Sequence, residues 1–348
     1  MVLDKLAYQV ALQSFLGAWG GNDDMGDRWW PNARLGPLSG VTRLWWGQGA
    51  FQATCAVTVA LACAENYALP EIIAAVGLDR QQETVVRRQD LPGTRSVNRY
   101  AYRTGDYLLA SAQGDWAAGA LGVLWQVTLG PDTLITGNRP ANASTHSIWR
   151  RNCWQGNAAP VRVAQWRDWL AVAYGATTEQ ALPYSHAYFP QANFDEVVVA
   201  QGWALARKGN GYVALTATGG VATVTAGPTA HRELRAAPAA VWLVQMGRAA
   251  SDGTFADFTQ KVLAQPLTLT ANGVEMTTLR GARVEFRTGG PLEAALVVDG
   301  TPQPLANFPH LESIYGGAAT IPAHRVEIQY QEHQMRLDFG MPETPAAL

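Results

Sequence analysis

Cysteine, charge and long apolar runs are all scarce in this sequence of 348 residues. The three cysteines, Cys55, Cys63 and Cys153, have no paired spacing, and an odd count argues against a disulfide framework. Charged residues make up 16% of the chain, against about 25% in ordinary domains, which excludes a charged coiled coil or a disordered polar tail. The formal net charge of −2 shows no excess of basic residues, which argues against a nucleic-acid-binding protein.

Patterns that direct or anchor a protein to a membrane are also missing. The N-terminus, MVLDKLAYQV, has no basic stretch followed by an apolar run, so we expect no secretion signal and take the cytoplasm as the default location. The apolar stretch at 53–64 has only twelve residues, which is too short to span a bilayer and predicts a buried helix instead. We therefore expect no membrane contact.

Apolar spacing divides the chain into two predicted domains. Residues 1–83 form a helical segment, since Leu3, Leu6 and Val10 fall on one helical face. Residues 84–348 consist of short segments rich in Val, Leu, Tyr and Thr, separated by turn residues. The sequence therefore predicts a mainly β protein with a small N-terminal α part, in which a multi-stranded antiparallel β-sandwich follows the helices.

Turn and helix signals mark details of the β domain. The pairs Asn210-Gly211, Asn272-Gly273 and Asp299-Gly300 predict tight hairpin turns. A single helical insertion, FADFTQKVLAQ, is predicted after Gly253.

Tryptophan is abundant, and it is concentrated near one candidate site. Eleven of the 13 Trp precede position 170. Residues 146–157 combine Trp rings with Arg and Asn, a mixture suited to a sugar that bears a carboxylate, because rings stack on sugar faces while Arg and Asn donate hydrogen bonds. A buried loop with satisfied polar groups is the equal alternative. The candidates in this segment are Arg150, Arg151, Asn152, Trp154 and Asn157.

A second candidate site contains His186 between Tyr184 and Tyr188. Imidazole and phenol groups exchange protons near neutral pH, which suits proton transfer at a sugar carbon. The alternative is a structural histidine that hydrogen-bonds between aromatic rings.

The third candidate is the loop around Arg28, Trp29 and Trp30, which we interpret as one wall of a sugar groove. Three Asp residues precede them, but their spacing lacks the Gly and the closing Glu of a calcium loop, so we predict no metal site. The sequence has no phosphate-binding Gly loop, zinc-ligand spacing or nucleophile elbow, and we predict no cofactor. No spacing singles out the carboxylate pair of a hydrolase.

Five segments of the sequence resemble a known protein family: YRTGDYLLASAQ, WQVTLGPDTLITGNRP, WQGNAAPVRVAQWRDWLAVAYG, SHAYFPQANFDEV and GWALARKGNGYVAL. Together with the order of helices, aromatic loop and strands, they resemble the C-terminal part of bacterial polysaccharide lyases of the heparinase II/III-like kind. The resemblance implies that residues 1–83 are the end of an (α/α) toroid and that a β-sandwich follows. On this resemblance, the remaining toroid helices come from a toroid-bearing partner chain or a homo-oligomer, or the protein has lost them, or the sequence is a fragment.

The resemblance also implies residue roles. Such lyases remove the C5 proton of a uronic acid and expel the 4-linked sugar. Asn152 would neutralise the carboxylate with help from Arg150 or Arg151, and His186 with Tyr184 or Tyr188 would exchange protons.

We therefore predict a lyase-like protein whose partner is a uronate polysaccharide or oligosaccharide. The alternatives are a non-catalytic carbohydrate-binding or assembly subunit and a hydrolase with an Asp pair.

Overall fold

The fold is described from a computed structural model of the chain. The structure describes residues 82–89, 98–117, 124–129, 133–138, 159–177, 183–227, 229–309, 311–318 and 325–338, together with the single positions 68, 70, 71, 72 and 75. Most of the predicted helical segment 1–83 lies outside these residues. Glu71 and Ile72 are helical directly after Pro70, a residue that suits the start of a helix.

The described residues form a mainly β protein, which confirms the predicted fold class. The strands are β1 (Thr84–Gln89), β2 (Asn98–Arg103), β3 (Tyr107–Trp116), β4 (Trp125–Leu129), β5 (Thr133–Asn138), β6 (Val161–Trp166), β7 (Trp169–Tyr174), β8 (Ser185–Tyr188), β9 (Glu196–Ala200), β10 (Trp203–Lys208), β11 (Gly211–Ala217), β12 (Ala222–Thr223), β13 (Glu233–Ala236), β14 (Val241–Arg248), β15 (Leu267–Thr270), β16 (Gly273–Thr277), β17 (Arg283–Arg287), β18 (Leu296–Val298), β19 (Thr301–Pro302), β20 (Leu311–Ser313), β21 (Gly316–Ala318), β22 (Arg325–Tyr330) and β23 (His333–Asp338).

Two α-helices lie completely within the described residues, α1 (Ala249–Asp252) and α2 (Phe255–Ala264). The second confirms the helical insertion predicted after Gly253. Its first turn is closed by a capping box, in which Thr254 and Asp257 each bind the other's backbone N–H.

The strands form two large antiparallel sheets and one small one. Sheet A has the order β23-β22-β21-β20-β1-β2-β3-β4-β5-β8-β13-β12. Sheet B has the order β3-β6-β7-β14-β11-β10-β9, because the last residues of β3 leave sheet A and pair with β6. Sheet C contains β15 to β19 in sequence order.

Sheets A and B pack face to face as a sandwich around one core. Alternate residues of both sheets contribute to it, including Leu109 and Trp125 from sheet A and Val172 and Trp242 from sheet B. Burial at this interface supplies most of the hydrophobic stabilisation of the sandwich, at about 25 cal/mol per Å² of apolar surface.

The outer face of sheet B is covered as well. Trp169 and Leu243 pack there against Phe286 of sheet C. Beside them, Leu205 packs against Phe258 of α2. Double coverage explains why β14, VWLVQMGR, is buried at seven consecutive positions and shows no apolar–polar alternation.

The predicted hairpin turns are confirmed. Asn210 lies between β10 and β11, Asn272 between β15 and β16, and Asp299 between β18 and β19. Asp299 has a positive φ of 48°, a conformation that Asp tolerates in such turns. Within the described residues, no helix has the length and apolar character needed to cross a membrane.

Candidate proton-transfer site on sheet A

Only part of the predicted site falls on described residues. Tyr184, His186 and Tyr188 are described; Tyr184 directly precedes β8, and the other two lie within it. The fourth predicted catalytic residue, Asn152, lies outside the described residues, as do the predicted binding residues Arg28, Trp29, Trp30, Arg150, Arg151, Trp154 and Asn157. Their roles stay predictions.

Strand β8 places His186 on the outer face of sheet A. Ala187 belongs to the core between the sheets, and successive side chains of a strand point to opposite faces. His186 and Tyr188 therefore lie on the face away from sheet B. Strand β8 is a central strand, paired with β5 on one side and β13 on the other.

The inward side of β8 is held to sheet B by a serine. The Oγ of Ser185 donates to the carbonyl of Ala237 over 2.7 Å and accepts a hydrogen bond from Nε1 of Trp242 over 2.8 Å. Both Ser185 and Trp242 are completely buried. These bonds fix the backbone one residue before His186, so its Cα position is determined by the core.

The imidazole of His186 meets a carboxylate on the neighbouring strand. Its Nδ1 lies 3.0 Å from Oε1 of Glu233 on β13. The two side chains are 6% and 2% exposed, so this hydrogen bond forms away from water. In the strand register, His186 is opposite Arg235 and Glu233 is opposite Tyr188, so the bond runs diagonally between the strands.

Arg235 holds the same carboxylate from the other side. Its Nε donates to Oε1 of Glu233 over 3.0 Å and its Nη2 donates to Oε2 over 3.2 Å. The guanidinium carbon also lies 4.0 Å from the ring centre of Tyr184, a cation–π contact. The Tyr184 ring in turn meets His186 edge-on, with 5.8 Å between the ring centres.

These bonds keep Glu233 ionised. Burial by itself raises the pKa of its carboxyl, but the hydrogen bonds from His186 and Arg235 outweigh burial and lower the pKa from 4.5 to about 2. An ionised carboxylate only accepts hydrogen bonds. The proton in the His186–Glu233 bond therefore belongs to Nδ1 of His186.

The other ring nitrogen of His186 is left available. Its Nε2 is buried and has no hydrogen-bond partner among the described residues. Buried polar atoms are almost always paired, so an orphaned imidazole nitrogen indicates a site for a ligand or a proton. The four side chains Tyr184, His186, Glu233 and Arg235 are called the β8–β13 cluster below.

Glu233 and Arg235 were not predicted as site residues. Glu233 lies 47 residues after His186, and only the pairing of β8 with β13 brings the two together. The segment ELRA does alternate polar and apolar residues, which indicates a polar outer face on this strand. No local spacing identifies its partner.

Two other features of the described residues do not offer this chemistry. A cavity of about 570 Å³ lies between α2 and β9, on the outer side of sheet B, and Glu196 is its only titratable lining residue. In the same described ranges, no three His, Cys, Asp or Glu side chains come together as a possible metal site.

Comparisons of this chain with protein-family models, with curated proteins and with solved structures find no match.

Proposed function

We propose that this protein is a carbohydrate-active protein of the polysaccharide lyase type, which acts on a uronic-acid-containing polysaccharide by β-elimination. The observation that supports this proposal most is the state of His186. Its Nδ1 is bound by an ionised carboxylate, its Nε2 is unpaired among the described residues, and a tyrosine ring lies beside it. This is an arrangement suited to moving a proton to and from a sugar.

In the proposed reaction, Nε2 of His186 accepts the C5 proton of the uronic acid. The electron pair of that C–H bond forms the C4–C5 double bond, and the C4–O4 bond breaks. Tyr184 or Tyr188 donates a proton to the departing oxygen. Asn152, with Arg150 or Arg151, neutralises the carboxylate, so that negative charge developing at C5 is stabilised.

Access to His186 requires a conformational step. Because Nε2 of His186 is buried, a sugar reaches it only after the side chains packed around the imidazole move. The proposal therefore includes such a movement before proton transfer, and conformational steps of this kind limit the rate of many enzymes.

The experiment is turnover of a panel of uronate polymers, followed by the ultraviolet absorbance of the unsaturated product. It uses the full chain, alone and with a toroid-bearing partner chain. We expect the chromophore to appear with at least one polymer. Glycan binding without turnover would favour the carbohydrate-binding subunit, and release of reducing sugar without the chromophore would favour the hydrolase. Either result would overturn the lyase proposal.

A further inference from the structure

His186 and Arg235 together donate three hydrogen bonds to Glu233. Its Oε1 accepts from Nδ1 of His186 and Nε of Arg235, both over 3.0 Å, and its Oε2 accepts from Nη2 of Arg235 over 3.2 Å. All three groups lie on the outer faces of two adjacent strands, whose backbones are fixed by sheet pairing. The carboxylate therefore has little freedom to rotate away from the imidazole.

We propose that Glu233 is a positioning residue for His186, which fixes the imidazole as the Nδ1–H tautomer and aims its Nε2 lone pair at the substrate. Arg235 supports this role by holding the carboxylate of Glu233 in place. The proposal deepens the function proposed above, because it assigns a role within the same proton-transfer site, and the catalytic part of its test rests on that function.

The tautomer follows from the chemistry of the contact. A neutral imidazole carries one proton, and an ionised carboxylate has none to give. With the proton on Nε2, the Nδ1 lone pair would face Oε1 of Glu233 at 3.0 Å, so two acceptors would oppose each other in a buried setting. With the proton on Nδ1, that contact is a charge-assisted hydrogen bond. The second arrangement leaves Nε2 as the group that can accept a proton.

Arg235 gives the carboxylate a fixed orientation and a countercharge. Its two donors reach both oxygens of Glu233. Because the guanidinium is planar, these two bonds fix the orientation of the carboxylate. Without this countercharge, a carboxylate as buried as Glu233 would be costly to keep ionised. The Tyr184 ring, 4.0 Å from the guanidinium carbon, restrains Arg235 in turn.

The direct test is nuclear magnetic resonance of the full chain with ¹⁵N-labelled histidine, near neutral pH. The His186 signals are assigned by their loss in His186→Gln. We expect the neutral form of wild-type His186 to carry its proton on Nδ1 and to leave Nε2 unprotonated. A wild-type His186 with its proton on Nε2 would overturn the proposal, whether or not any polymer is cleaved. This readout therefore separates failure of the positioning role from failure of the lyase function.

The catalytic test uses Glu233→Gln, which preserves the shape of the side chain and removes its charge. We expect mixed tautomers in the variant and a loss of roughly tenfold or more in kcat, with KM changed far less, as for other groups that orient a catalytic histidine. Glu233→Asp, which restores the charge, should recover part of the tautomer preference. A variant that keeps the wild-type tautomer and kcat would contradict the proposal.

Folding is checked by circular dichroism before either comparison. If Glu233→Gln does not fold, Arg235→Lys replaces it, because lysine keeps the positive charge but cannot hold both oxygens in one plane. We expect this variant to retain the Nδ1–H tautomer with a lower kcat. A wild-type kcat in Arg235→Lys would show that the guanidinium of Arg235 is not needed to position Glu233 and His186.

Discussion

At the scale of the residue, Glu233 links the stability of the fold to pH. The pKa of its carboxyl is about 2 in the folded protein, against 4.5 for the free group, so the unfolded chain binds this proton more readily. The stabilisation is therefore fully present above pH 4.5 and is lost as the pH falls from there to about 2. A shift of this size corresponds to about 3 kcal/mol.

Chemical denaturation of the wild-type protein and Glu233→Gln checks this prediction. Near neutral pH, the variant should be less stable by about 1–3 kcal/mol, because its neutral amide replaces the charged partner of Arg235. Near pH 3, the difference between the two free energies of unfolding should be smaller. A difference that stays the same at both pH values would show that Glu233 is not ionised in the way described.

The sequence predicted only two members of the β8–β13 cluster, Tyr184 and His186. These residues are two positions apart in the chain, so their proximity could be expected from the sequence alone. Glu233 and Arg235 arrive by strand pairing over a separation of 47 residues between Glu233 and His186. Long-range pairing depends on the global topology, which the local pattern does not contain.

At the scale of the element, the contact between β14 and α2 requires a glycine. A Cβ atom added at Gly247 would lie 2.4 Å from Cε2 of Phe258 and 2.5 Å from its Cδ2, well inside contact distance. Phe258 is completely buried and anchors α2 on the outer face of sheet B. The helix can therefore approach this strand closely only because position 247 has no side chain.

Gly247→Ala should destabilise the protein by about 1–3 kcal/mol, the usual cost of overpacking. The measurement is the free energy of unfolding from chemical denaturation. Gly289→Ala is the matched control, because a Cβ atom there meets nothing within 4 Å, and it should change stability by less than about 0.5 kcal/mol. When Gly247→Ala is combined with Phe258→Leu, the loss of stability should be smaller than the sum of the losses in the two single variants. Leucine has no ring that would clash with the added Cβ atom. Strict additivity would contradict the proposed contact.

Elements with one covered face were the easiest to predict. Strand β22 alternates buried and exposed residues, and the Asn-Gly and Asp-Gly turns lie where the sequence placed them. Strand β14 carries apolar residues on both faces, which indicates double coverage but not the covering element. The packing of sheet C and α2 on sheet B could therefore not be predicted from the pattern.

At the scale of the whole molecule, Arg280 connects three parts of the fold. Located between β16 and β17 of sheet C, it donates two hydrogen bonds to Asp252 of α1, over 2.6 and 2.8 Å. Its Nε also lies 3.1 Å from Oδ2 of Asp168, in the turn between β6 and β7 of sheet B. Both carboxylates are buried.

The two carboxylates respond to this arrangement in opposite directions. Burial raises the pKa of Asp168, and the charge of Arg280 only partly offsets it. Burial also raises the pKa of Asp252, but two hydrogen bonds from Arg280 and one from the backbone of Arg248 outweigh it, so the pKa is lowered. Burial therefore dominates at Asp168, whereas the hydrogen bonds dominate at Asp252.

Arg280→Ala should destabilise the protein by about 3–5 kcal/mol, because it leaves two buried carboxylates without their countercharge. Arg283→Ala is the control. Arg283 also pairs with two carboxylates, but its side chain is 65% exposed, and its loss should cost less than about 1 kcal/mol. Denaturation curves of the two variants give the comparison. Similar losses in both would show that Arg280 does not hold the layers together.

The central claim is that His186 transfers a proton in a uronate lyase. Its most direct test is kcat of His186→Ala on a polymer that the wild-type protein cleaves, with binding and thermal melting measured on the same sample. His333→Ala, at a partly exposed histidine on β23, is the control. The account predicts a loss of roughly 10²-fold or more in kcat for His186→Ala, with little change in binding, and wild-type turnover for the control. Intact turnover in His186→Ala would contradict the account, and so would binding and melting temperature that fall in parallel with turnover.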